Sequence, residues 1–107
     1  FSIAPMDSQR IIKLNPESFI LLVKQLRHFH DDADLFEVDL DNMRVKGDLR
    51  VIQNSFDKPI IGCTKTLDMA KRAAKATLPF VRIPKDLVLD DEFKTLVKNK
   101  GTTLLFF

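Results

Sequence analysis

Short apolar runs alternate with segments whose apolar residues return every three or four positions, and this alternation constrains the fold more than any other feature of the chain. A brief apolar run bounded by turn residues has the pattern of a strand buried on both faces. Three- and four-residue spacing marks the buried face of a helix. Strands joined by helices imply right-handed crossovers and a parallel sheet. The 107 residues are enough for one domain and one core. The pattern therefore predicts an α/β fold with a mainly parallel sheet of about four or five strands and alternating helices, as an open sheet or a half-barrel. An eight-stranded barrel typically needs about 250 residues, so this length cannot close one alone.

The elements can be placed from local chemistry. Residues 1–5 suggest a first strand, and 6–14 read as a connection. Asn15-Pro16-Glu17 is a helix start, with Asn as cap, Pro at the first helical position and Glu at the positive end of the dipole. Phe19, Leu22, Val23, Leu26 and His30 follow at helical spacing, which predicts a helix over 16–30 with its exit at Asp31-Asp32. In 34–40, Phe36, Val38 and Leu40 alternate with Leu35, Glu37 and Asp39, giving a strand with one apolar face and one face bearing two carboxylates. Asp48 caps a short helix to residue 55. Pro59–Cys63 is a buried parallel strand. Thr66 caps a helix over 67–77, with Leu67, Ala70, Ala74 and Leu78 inward and Lys71, Arg72 and Lys75 outward; Asp68 is placed to pair with Arg72. Phe80–Ile83 is a strand stopped by Pro84. Asp90 opens a helix over 91–100 that Gly101 closes, and 102–107 form a last, apolar strand.

Charge and cysteine usage narrow the function classes. The net charge is +2, from 17 basic and 15 acidic residues, which argues against nucleic acid or membrane as a partner. Cys63 is the single cysteine, so no internal disulfide forms, and an intracellular protein is expected, in cytoplasm or organelle matrix. Cys63 with His28 and His30 is not a zinc set, and no other metal or cofactor is expected. A chain starting at Phe1 is compatible with processing or with a segment of a longer protein.

Ligands of parallel α/β folds bind at the C-terminal strand ends. Glu37 and Asp39 share a strand face, where they could do acid/base work or hold a divalent cation. The plainer reading leaves them facing solvent or paired with Lys65 or Arg82, and it is preferred. Thr64, Lys65 and Thr66 lead into a helix N-terminus and could hold an anion, although the spacing is not that of a phosphate loop. The preferred alternative is an ordinary β-α turn with a threonine cap. Arg82 with Lys85 forms a further strand-end candidate. Cys63 reads as a packing residue before a nucleophile. His28 and His30 point in different directions from one helix. The basic face of 67–77 reads as solvated surface before a phosphate-backbone contact.

Two stretches resemble a known family. Ala33-Asp34-Leu35-Phe36-Glu37-Val38-Asp39-Leu40-Asp41 is similar to the second strand of type I 3-dehydroquinate dehydratases, where an Ala-Asp pair leads a strand carrying Glu, a spacer and Arg. Lys58–Thr66 resembles the third strand of that family, and Ser2–Pro5 matches its first. The resemblance implies a (βα)₈ barrel arrangement and a lyase acting through a Schiff-base lysine with a histidine partner, both in the later half of the barrel. Glu37 matches the family's Glu, but Asp39 stands where the family has Arg, Lys65 stands where it has a second Arg, and its Gly-Gly-Glu segment is absent. Arg to Asp inverts the charge of a carboxylate-binding position, so the resemblance supports the arrangement rather than the activity.

The sequence thus leads first to a non-catalytic structural or interaction module of a larger assembly, whose apolar C-terminal strand calls for a protein partner or further sequence to cover it. The alternatives are the N-terminal part of a (βα) barrel lyase and a small anion- or phosphate-binding protein.

Overall fold

The computed structural model describes residues 10–44 and 48–107. In these residues, strands β1 (Ile11–Leu14), β2 (Leu35–Asp39), β3 (Ile60–Cys63), β4 (Phe80–Ile83) and β5 (Thr103–Phe106) alternate with helices α1 (Phe19–Phe29), α2 (Leu49–Ser55), α3 (Leu67–Lys75) and α4 (Asp91–Lys100). The strands form one sheet in the order β1-β2-β3-β4-β5, and every neighbouring pair is parallel. The sheet is open, and its winding never reverses. Right-handed crossovers repeated in one direction put all four helices on the same face.

Side-chain alternation shows the consequence. Phe36, Val38, Ile60, Val81 and Ile83 point to the helices and form one cluster with Leu22 and Leu26 of α1, Ile52 of α2, Ala70, Ala73 and Ala74 of α3, and Phe93 of α4. The other face carries Glu37, Asp39, Ile61, Cys63, Phe80 and Arg82, and the described residues place no helix over it. Leu35 and Ile61 are buried there, outside the helix-side cluster.

Small residues set the spacing between α3 and the sheet. Gly62 lies opposite Ala73, and a Cβ built on it would stand 3.0 Å from Leu40 Cδ1 and 3.0 Å from Leu78 Cδ1. The alanines of α3 can approach β3 closely because neither side offers a bulky group.

Local chemistry placed most elements. Asp48, Thr66 and Asp90 cap α2, α3 and α4, accepting from the amides of Arg50, Met69 and Phe93. Asp68 and Arg72 approach to 3.7 Å. Gly101 ends α4 at φ +68°, the left-handed conformation that glycine adopts without steric cost.

Three boundaries differ from expectation. The connection expected over 6–14 contains β1, whose pairing with β2 makes Ile11–Leu14 a strand. The strand expected over 1–5, with its Ser2–Pro5 family match, lies outside the described residues. The helix expected from residue 16 begins at Phe19, and its cap is Ser18, which accepts from the Leu21 amide, rather than Asn15. The Asn42 side-chain amide holds Asn15 and Pro16 by their carbonyls at 3.0 and 3.3 Å, keeping that segment outside the helix. The helix expected to reach residue 77 ends at Lys75. Leu78 N–H donates to the Ala73 carbonyl and Thr77 N–H to that of Ala74. This paired closure needs a left-handed residue, here Thr77 at φ +63°, and it turns Leu78 back into the core.

Candidate functional site

The C-terminal strand ends and the uncovered face of the sheet enclose a pocket of about 580 Å³. Strand register decides what it contains. Asp39 of β2, Cys63 of β3 and Arg82 of β4 stand side by side in one row across the sheet. Lys13 of β1 and Glu37 of β2 are neighbours in the row below. Cys63 is small and sits between two charged residues, so the middle of the upper row is left open.

Glu37 and Arg82 reach toward each other over β3. Glu37 Oε1 lies 2.9 Å from Arg82 Nε, with the two side chains 14% and 27% exposed. The Arg82 N–H is not aimed at the oxygen, so Nε is buried without a hydrogen bond. Among the described residues the contact is an ion pair without a directional hydrogen bond at Nε. Between the two partners anticipated for Glu37, the structure selects Arg82.

Asp41 organises the β3–α3 turn. It lies in a 3-10 turn, Leu40–Asn42, directly after β2. One of its oxygens accepts from the buried Thr64 hydroxyl at 2.6 Å, and the other accepts from Lys65 N–H at 2.8 Å. Thr66 N–H donates to the Thr64 hydroxyl oxygen, and Thr66 Oγ1 caps α3. The turn proposed to hold an external anion therefore already carries the protein's own carboxylate.

Of the residues singled out from sequence, Glu37, Asp39, Cys63, Thr64, Lys65 and Arg82 line the pocket, and Thr66 stands outside its lining. Sequence reasoning missed Lys13, Asn15, Asp41 and Phe107. Asp41 had a local signal, an aspartate just past the end of a strand where the next βα turn lies beside it. Lys85 is exposed, and its backbone N–H donates to the Phe107 carbonyl. Burial, and next the negative charges of Glu37 and Asp39, push the Cys63 thiol up from its ordinary pKa, which opposes a nucleophilic role. The basic face of α3 is largely engaged within the protein: Lys71 bridges Asp90 and Glu92 at 2.7 and 3.2 Å, and Arg72 pairs with Asp68.

His30 sits in the turn that leads into β2, at the opposite end of the strands from the pocket. Its Nε2 lies 2.6 Å from Asp57 and its Nδ1 3.1 Å from Asp31. Both partners are acceptors only, so the doubly protonated ring satisfies both contacts. The Asp57 hydrogen bond, and then that of Asp31, raise the His30 pKa above its usual 6.5, while His30 holds Asp57 below the usual carboxylate range. A raised histidine adds stability below its ordinary pKa and loses it as pH rises through the folded value. A lowered aspartate adds stability above its ordinary range and loses it as pH falls through the folded value. The contact therefore works between these limits. The difference in Tm between wild type and His30→Asn is expected to be small, largest near about pH 5.5 and gone by about pH 9. Melting curves at both values check it, and an equal difference at the two contradicts it.

No helix among the described residues is long and apolar enough to cross a membrane. Comparison with protein-family models, with curated proteins and with solved structures found no match to the chain.

Proposed function

We propose that the chain is a non-catalytic βα module that builds a larger assembly through the outer edge of β5, which pairs with no further strand among the described residues. The carrying observation is that edge. Thr103 N–H and Phe107 N–H donate to the Pro79 and Ile83 carbonyls of the β4 side. Main-chain groups alternate in direction along a parallel strand, so those of Leu104 and Phe106 face outward. Residues 103–107 carry no charge and no proline, the devices that normally protect an edge. Phe106 is 49% exposed and Phe107 45%. An uncharged apolar edge of this kind is a template for strand addition.

The purified chain is expected to self-associate as its concentration rises through the micromolar range, measured by sedimentation equilibrium. Phe106→Lys places a charge on the edge and is expected to return the chain to monomer with unchanged circular dichroism. A wild type that stays monomeric to about millimolar concentration removes the proposal.

The reading as the N-terminal part of a lyase resembling type I 3-dehydroquinate dehydratases draws on the unreversed strand order, which is compatible with part of a (βα) barrel, and on Glu37 at the pocket. It differs in one measurable respect. It requires a longer reading frame with the Schiff-base lysine on a later strand, whose protein would convert 3-dehydroquinate to its conjugated dehydration product, seen as new ultraviolet absorbance, whereas the assembly reading expects no such conversion.

A further inference from the structure

We infer that the pocket at the strand ends is a binding site for a small phosphate monoester, with its phosphate on the Arg82 guanidinium of β4 and with Lys65, just past β3, and Lys13, on β1, adding positive charge to the same pocket. The inference stands apart from the assembly reading and rests on which charges are already matched. Each carboxylate lining the pocket is engaged inside the protein. Glu37 faces Arg82, Asp41 accepts from Thr64 and Lys65, and Asp39 accepts from the Asp41 amide at 3.0 Å. The cations are not matched in the same way. Among the described residues, Lys13 and Lys65 have no carboxylate within 4.0 Å, and the closest approach of Arg82 to Glu37, at Nε, makes no hydrogen bond.

A guanidinium with a free planar fork suits a tetrahedral oxyanion, which can accept two parallel N–H bonds. Two further cations in the same pocket, Lys65 past the end of β3 and Lys13 on β1, favour a dianion over a monocarboxylate. The volume exceeds what a bare phosphate fills, and Ile11, Leu14 and Phe107 give the remainder an apolar lining. An organic body on the phosphate would occupy that part. Cys63 stays a neutral thiol beneath the site, so it adds no repulsion toward the anion.

Phenyl phosphate is the probe, followed by isothermal titration calorimetry at low salt and about pH 7.5, above the second phosphate pKa of about 6. Binding is expected in the millimolar range or tighter, with benzoate weaker by about tenfold or more. Arg82→Gln is expected to weaken phenyl phosphate by about tenfold or more. Because that change strands Glu37, the double variant Lys13→Gln/Lys65→Gln tests the site through exposed positions that do not hold the fold. It is expected to weaken binding several-fold, and the wild-type affinity should fall as salt is added. No binding of phenyl phosphate, benzoate binding as tight as phenyl phosphate, or wild-type affinity in the double lysine variant would each overturn the inference.

Discussion

Phe36→Ala is expected to lower the free energy of unfolding by about 3–5 kcal/mol. Phe36 is fully buried on the helix-facing side of β2, the second strand of the sheet. Removing its ring leaves a cavity that β3 on one side and the helices above cannot collapse to fill, so the cavity cost adds to the lost transfer energy. A domain of this size has a total stability of only about 5–15 kcal/mol, so this one change brings the chain close to unfolding. Phe80→Ala supplies the contrast. Phe80 is half-buried on the sheet face that the helices do not cover. Its truncation is expected to cost about 1–2 kcal/mol. Urea denaturation measures both as shifts in midpoint at constant slope. Equal losses would mean that the two faces of the sheet are buried alike, contrary to the one-sided winding.

Gly62→Val is expected to cost up to about 3 kcal/mol by overpacking. Even the first added carbon meets Leu40 and Leu78 at 3.0 Å, and the valine methyls press further toward Ala73 of α3. Leu40 and Leu78 must give way in a closely packed core, and where they cannot, the strand shifts or α3 lifts, carrying with it the Thr66 cap and the turn that Asp41 holds. A valine is otherwise better suited to a strand than glycine, so propensity alone predicts the opposite sign. Gly62→Val/Leu78→Ala should recover part of the loss, because the second change makes room for the first. Chemical denaturation of the single and double variants decides it. Stabilisation by Gly62→Val would show that β3 and α3 are not closely packed.

How far the sequence could be read follows from how local each determinant is. The caps at Asp48, Thr66 and Asp90 were legible because a capping side chain binds an amide two or three residues away. The faces of β2 were legible because alternation is intrinsic to a strand. Ser18 was overlooked in favour of Asn15-Pro16, since the choice turns on the amide of Asn42 from a distant turn. Strand β1 was overlooked because Ile11–Leu14 is short and contains a lysine, and it becomes a strand through its pairing with β2. Thr77 ended α3 without a glycine to announce it. At the site, Glu37 and Asp39 were recognisable as strand-end carboxylates, but the choice of Arg82 over Lys65 as partner depends on the register that sets Arg82 of β4 across β3 from Glu37. Asp41 escaped notice because its role exists only once the β3–α3 turn lies beside it.

Amide hydrogen exchange at Leu104 and Phe106 tests the assembly reading most directly. In dilute solution these outward amides should exchange rapidly while those of Thr103 and Phe107, bonded toward β4, are protected. Raising the concentration should slow Leu104 and Phe106 in the wild type and leave them fast in Phe106→Lys, as expected when another strand takes up the free edge. Exchange at those two positions that is independent of concentration would contradict the account.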